Sequence, residues 1–180
     1  MKTFEELGVS PEIRKAIEEM GYESPMPVQE EVIPYLLGNG NDAAGQEAVN
    51  TYCKNNGYTD TSMGRMLLEK ASANENYTSA RDCSVFLKNI YENKLEHSED
   101  MLNLLKQQTR TEKIPKGVPA GVETANKTGE LDHVETDAAI VFDGENPYII
   151  CVMADNLSDT TEARQRIVDI SSVVYENISK

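Results

Sequence analysis

Residues 122–154 read VETANKTGELDHVETDAAIVFDGENPYIICVMA, and this stretch decides the fold. Helical periodicity stops at Pro115, and three strand-like runs follow: Val122 to Gly129, Val134 to Phe142, and Pro147 to Ala154. Asp143-Gly144 lies between the last two and signals a hairpin, because both residue types tolerate the backbone angles of tight turns. Just upstream, Ile114-Pro115-Lys116-Gly117-Val118-Pro119 is expected to be an extended connector, since two prolines and a glycine oppose a helix. Downstream, Ala163, Ile167, Ile170, Val174 and Ile178 recur at helical spacing and are expected to line one side of a terminal helix, with Asp159 and Glu162 as its capping box. The stretch therefore reads as an antiparallel meander with a helix laid on it.

Toward the N-terminus the pattern is helical. Ser98-Glu99-Asp100 starts one helix with Met101, Leu102, Leu104 and Leu105 inward, and Thr78 or Ser79 caps another with Cys83, Phe86, Leu87, Ile90 and Tyr91 inward. Between Gly57 and Asn76 only Met66-Leu67-Leu68 breaks an aperiodic stretch, which reads as a loop. Ala44, Ala48, Val49, Tyr52 and Cys53 mark a helix that stops at Asn55-Asn56-Gly57. Ser10-Pro11-Glu12 opens a helix that Gly21 ends, with Ile13, Ala16, Ile17 and Met20 on one face. Pro27 opens the next, through Val28, Val32, Leu36 and Leu37, with a kink at Pro34 and a break at Gly38-Asn39-Gly40-Asn41. Residues 1–42 thus form a helical hairpin, and residues 43–180 an α+β unit of helices, a three-stranded antiparallel meander and a C-terminal helix.

Composition narrows the function. Lys and Arg number 17 against 31 Asp and Glu, a formal charge of −14 that leaves no surplus cations to neutralise phosphates, so no nucleic-acid partner is expected. At 39% hydrophobic and 27% charged the chain reads as a soluble globular domain, and no run approaches the roughly 20 apolar residues of a membrane span. Cys53, Cys83 and Cys151 are too few and too widely spaced for a disulfide framework or a Cys-x-x-Cys site, and read as buried free thiols. His97 and His133 lack a second His or Cys at ligand spacing, so neither a metal nor another cofactor is expected. The opening MKTFEELGVS has Glu5 and Glu6 where a secretory signal needs an apolar run, which points to the cytoplasm.

Phe4-Glu5-Glu6-Leu7-Gly8 followed by Gly21-Tyr22-Glu23-Ser24-Pro25-Met26-Pro27-Val28-Gln29 resembles the Q motif of DEAD-box RNA helicases over about residues 1–42. The resemblance implies that Gln29 reads an adenine edge and Phe4 stacks on the base, an adenine-nucleotide module. Phosphoryl transfer, however, needs a backbone phosphate cradle, a lysine and a magnesium ligand. No GxxxxGK[ST] occurs in the chain; Asp42-Ala43-Ala44-Gly45-Gln46-Glu47 stands where it would begin, so no ATPase or helicase activity is expected.

From about Asn41 onward the chain resembles serine hydrolases of the class A β-lactamase and penicillin-binding type. Carrying the resemblance are Lys127-Thr128-Gly129 on a strand, Ile114 to Val122 before it and Asp137-Ala138-Ala139-Ile140-Val141 after it. Asn76-Tyr77-Thr78-Ser79-Ala80-Arg81-Asp82, like the exit of that family's Ω-loop, and the closing strand Tyr148-Ile149-Ile150-Cys151-Val152-Met153 add to it. It implies a truncated β-lactamase-like fold in which Lys127, Thr128 and Gly129 orient a substrate carboxylate. Asn41 would stand in the Ser-x-Asn motif, with Asn39 in place of its serine. The ligand implied is a β-lactam or a peptide carboxylate, and members of the family usually work outside the cytoplasm. Acyl transfer in this family uses Ser-x-x-Lys. No serine here has Lys three residues later, and Ser84 and Lys88 lie four apart. No catalytic residue is therefore assigned, and the expectation is an inactive chimera of two families. A second expectation is a homo-oligomer or domain swap, or completion in trans by another chain, because three strands leave an edge exposed.

Overall fold

The computed structural model describes residues 2–19, 24, 25, 30, 33, 42–65, 75–144 and 146–178. In chain order it contains α1 (Pro11–Glu19), α2 (Asp42–Asn55), α3 (Ala80–Tyr91), α4 (Ser98–Lys106), a 3₁₀ turn (Ile114–Gly117), β1 (Glu123–Leu131), β2 (Val134–Phe142), β3 (Tyr148–Ala154) and α5 (Thr160–Ile178). Two compact units result, residues 1–57 with 62–77, and residues 58–61 with 78–180.

The second unit is built on an antiparallel sheet in the order β1-β2-β3. Its register sets Lys127 against Ala138, Thr128 against Asp137, Gly129 against Thr136, and Ala138 against Cys151. Side chains alternate between the faces of a strand, so this register sorts the sequence into two layers. On one face Ala125, Ala138 and Ile140 pack with Leu87 and Ile90 of α3 and with Met101, Leu102 and Leu105 of α4. On the other face Ala139, Val141 and Ile150 pack with Ile114 and with Ile167 of α5. The α+β architecture read from the sequence is thus present, with the meander between two helical layers.

Local chemistry fixes the helices. The Ser79 hydroxyl accepts the Asp82 amide at 3.1 Å and caps α3. The Asp82 carboxylate, 2% exposed, accepts the Asp60 amide at 2.8 Å and the Thr61 hydroxyl at 2.9 Å, tying the preceding loop to the helix. In the same loop Tyr58 meets Phe86 edge-on, ring centroids 5.9 Å apart. Asp159 caps α5 by accepting the amides of Thr161 and Glu162 at 2.8 and 3.0 Å. The Glu162 carboxylate is taken by Arg166 one turn on, at 2.6 Å.

Three expectations change. Ile114–Gly117 is not extended but a 3₁₀ turn, because Pro115 sits in its first turn, where the missing N–H has no bond to make. Within α5, Ser171 points inward in place of Ile170, since its hydroxyl donates to Ile114 O at 2.8 Å; Ile170 is 44% and Ile178 42% exposed. Leu104 of α4 and Tyr91 of α3 are likewise exposed, at 52% and 42%. The 3₁₀ turn sits so close to α5 that a Cβ on Gly117 would lie 2.4 Å from Val168 O.

In the first unit Leu7 and Val9 are buried, whereas α1 buries no residue and its Ile13 is 52% exposed. The turn before α1 uses Gly8 at φ +87, where a Cβ would be strained. In α2 Cys53 is buried, with Val49 and Tyr52 outward. The Asn50 amide clamps the loop through Met63 N and O at 2.7 and 2.9 Å, and Ser62 and Tyr77 form an isolated antiparallel bridge. Of the helix expected after Pro27 only Glu30 and Ile33 are described, both helical, while its kink at Pro34 and Met66-Leu67-Leu68 lie outside the described residues. Among the described residues no helix is long and apolar enough to cross a membrane.

Candidate functional site

Lys127, Thr128 and Gly129 occupy the second half of β1. Lys127 belongs to the face that α3 and α4 cover, but lies past the cover they give Ala125, and it is exposed. Its ammonium rests against Thr128 O. Thr128 points to the opposite face, 6% exposed, across from Asp137. Gly129 keeps the strand slim: a Cβ there would meet the Thr136 hydroxyl at 2.6 Å, and that hydroxyl donates to Gly129 O at 3.3 Å.

A buried charge network backs this strand end. Lys113, 1% exposed, donates to Gly129 O at 3.3 Å and Thr136 O at 3.0 Å, joining β1 to β2. Its ammonium is 2.6 Å from the fully buried Glu135 and 3.3 Å from Glu130. Arg164 of α5 donates to Glu135 at 2.7 Å, and Arg110 to Glu130 at 2.6 Å. Beside it Asp137, fully buried, accepts the Ile114 amide at 2.9 Å and the Asn126 side-chain amide at 3.1 Å. Burial pushes the Asp137 carboxyl above its ordinary value, against the pull of Asn126, the Ile114 amide and Lys113. For Glu130 partial burial acts upward, but the bonds from Arg110 and Lys113 outweigh it and the carboxyl sits below its ordinary value.

Of the sequence-derived site residues, Lys127, Thr128 and Gly129 are together on one strand. Asn41, Asn39 and Gln29 lie outside the described residues. Phe4 is half-buried in the first unit, where its carbonyl accepts the Val9 amide at 3.0 Å. Both histidines are on loops, and His133 meets Leu157 O at 2.9 Å through Nδ1. Among the described residues no group of three His, Cys, Asp or Glu is placed to hold a metal ion. Cys53 is buried, Cys83 and Cys151 are half-buried, and burial pushes the Cys151 thiol up to about 12. A depression of 390 Å³ bounded by Gln46, Glu47, Asn50, Thr51 and Lys54 belongs to α2 and includes no residue of β1.

The network of Lys113, Asn126, Glu135, Asp137 and Arg164 is missing from the sequence reading. The signal was there: Glu135 and Asp137 sit two apart inside an otherwise apolar strand, hence on one face, and two acids facing a core require donors.

The family model described as "Beta-lactamase enzyme family" matches residues 41–178. Among solved structures, a beta-lactamase from Sphaerobacter thermophilus superposes with a TM-score of 0.68 at 24% identity, over 76% of this chain and 55% of that one. PBP-A superposes at 0.67 with 23% identity, over 82% and 54%. A beta lactamase from Burkholderia vietnamiensis reaches 0.70 at 14% identity, over 94% and 69%. The chain thus spans about half the length of the first two. Its start is similar to helicases: 53% identity over 47 residues with the probable ATP-dependent RNA helicase ddx1 of Dictyostelium discoideum, 26% of this chain and 6% of that protein. With the DEAD-box helicase CshA of Geobacillus kaustophilus it is 49% identical over 51 residues, 28% of this chain and 11% of that protein. The helicase likeness is confined to that short segment, while the matched model takes in the whole meander with the helices on both its faces: the chain belongs to the beta-lactamase enzyme family.

Proposed function

We propose that this chain is a β-lactamase-fold domain that binds a carboxylate-bearing ligand of the β-lactam or peptide type along β1 without cleaving it. The observation that carries the reading is Lys127, an exposed cation on a strand whose outer side has no strand partner among the described residues. Such an edge offers backbone groups to an extended ligand, and the ammonium attracts its carboxylate. Gly129 leaves room for close approach. Acyl transfer demands an activated nucleophile, and Ser-x-x-Lys does not occur in these 180 residues.

The test uses three readouts. A chromogenic cephalosporin is expected to stay unhydrolysed, and a labelled penicillin to add no mass to the intact protein. Reversible penicillin binding, followed by ligand-observed NMR, is expected to weaken severalfold in Lys127→Ala, whose exposed side chain is not part of the core. Turnover, a stoichiometric adduct, or unchanged binding by Lys127→Ala overturns the proposal.

A second reading is a serine hydrolase completed in trans. Its support is the coverage of only 55% of the Sphaerobacter enzyme's length, which leaves a second chain much to supply. It requires a stable complex with a chain bearing Ser-x-x-Lys, and cephalosporin turnover by that complex alone.

A further inference from the structure

β3 pairs with β2 along one side, and among the described residues no strand pairs with its other side. Natural sheet edges are commonly guarded by a charge, a proline or a bulge. The seven residues of β3, YIICVMA, contain no charge and no proline, and their register with β2 runs unbroken from Tyr148 to Ala154. This edge is an unguarded template.

The helix above it leaves an apolar flank open on the same side. α5 lies over β2 and β3, with Ile167 and Val174 packed near Ala139, Val141, Ile150 and Val152. Ser171 and Arg164 turn toward Ile114 and Glu135, the side of the helix nearer β1. At about 100° per residue, Ile170 and Val173 fall on the opposite flank, toward the free side of β3. They remain 44% and 59% exposed.

We propose that a second copy of this chain covers both features, through antiparallel pairing of β3 with β3 about a two-fold axis. Geometry favours a copy over an unrelated strand. Strands lie about 4.8 Å apart, so a helix midway over β2 and β3 stands about 5 Å from such an axis. Its copy then stands about 10 Å away, the separation at which helices pack side by side, and the two Ile170–Val173 flanks meet. Charge is compatible as well. All seven residues pair only in the register that puts Cys151 on the axis, with Tyr148 opposite Ala154, Ile149 opposite Met153 and Ile150 opposite Val152. Pro147 and Asp155 come next, so no like charges face each other between the paired strands despite the net −14 of each chain. The product is an isologous dimer with one continuous six-stranded sheet, twice the three strands of the monomer. It needs no other protein, and it leaves the Lys127 strand at both outer ends.

Sedimentation equilibrium of the whole chain, from micromolar to hundreds of micromolar, is expected to give twice the 20.0 kDa monomer mass. Hydrogen exchange over the same range is expected to slow in Tyr148–Ala154 as concentration rises, and not in Glu123–Leu131. Ile170→Glu with Val173→Glu sets like charges across the axis on exposed positions, and is expected to raise the dimer dissociation constant at least tenfold with an unchanged circular dichroism spectrum. A monomer at the highest concentration overturns the proposal. So does a dimer whose exchange protection lies on β1, or one that keeps its affinity with both glutamates in place; the exchange readout uses the unaltered chain, so it stands even if the double variant fails to fold.

Discussion

At the scale of single residues, the network behind β1 sets the stakes. Lys113, together with Arg164, keeps Glu135 tolerable in the core, and it also caps Gly129 O and Thr136 O. Lys113→Met therefore leaves the buried Glu135 carboxylate with the half-exposed Arg164 alone, and is expected to cost up to about 3 kcal/mol in urea unfolding. Adding Glu135→Leu to that change is expected to recover much of the loss, since no buried charge is then left unpaired and the half-exposed Arg164 reaches water. Asp137 carries a pH signature. Its proton affinity is higher in the folded chain than in the unfolded one, so its contribution is complete below the unfolded value of 3.8 and fades as pH rises through the raised folded value. Asp137→Asn does not titrate. Its unfolding midpoint, measured beside that of the unaltered chain, is expected to gain on it as pH rises from acidic to neutral.

Among elements, the 3₁₀ turn and α5 form the tightest join, and Gly117 makes it possible. A Cβ at Gly117 would meet Val168 O at 2.4 Å and Ser171 Cβ at 2.5 Å, contacts in which a helix backbone must give way. Gly117→Ala is expected to lower stability by about 1–3 kcal/mol in a thermal melt, with the sheet retained. This join also shows where the sequence was legible and where not. The strands and their order were readable because Val134–Phe142 and Tyr148–Ala154 are strand-like runs bounded by turn signals. The 3₁₀ turn was not, since Pro115 argues against an α-helix but is compatible with the first turn of a tighter one. Ile170 was misplaced for a related reason: helical spacing admits both Ile170 and Ser171 near the buried face, and only the distant partner Ile114 O selects the serine. For the candidate site, Lys127-Thr128-Gly129 was visible as a motif. Lys113 was not, because its partners Glu130 and Glu135 lie across a sheet that local sequence does not reveal.

At the scale of the whole molecule, every strand among the described residues pairs with its neighbour in sequence. Such pairings close short loops and so form quickly once the chain begins to order, which suits the meander to a role as folding nucleus. The bond from Ser171 to Ile114 is of another kind, for it spans 57 residues. A contact closed over that distance is a late one. Ser171→Ala, which removes about 1 kcal/mol of hydrogen bonding, is expected to speed unfolding about fivefold in stopped-flow chevrons while the refolding arm stays in place. The hydroxyl on the terminal helix thus acts as the clasp that sets the lifetime of the native state, whereas the hairpins decide how soon that state is reached.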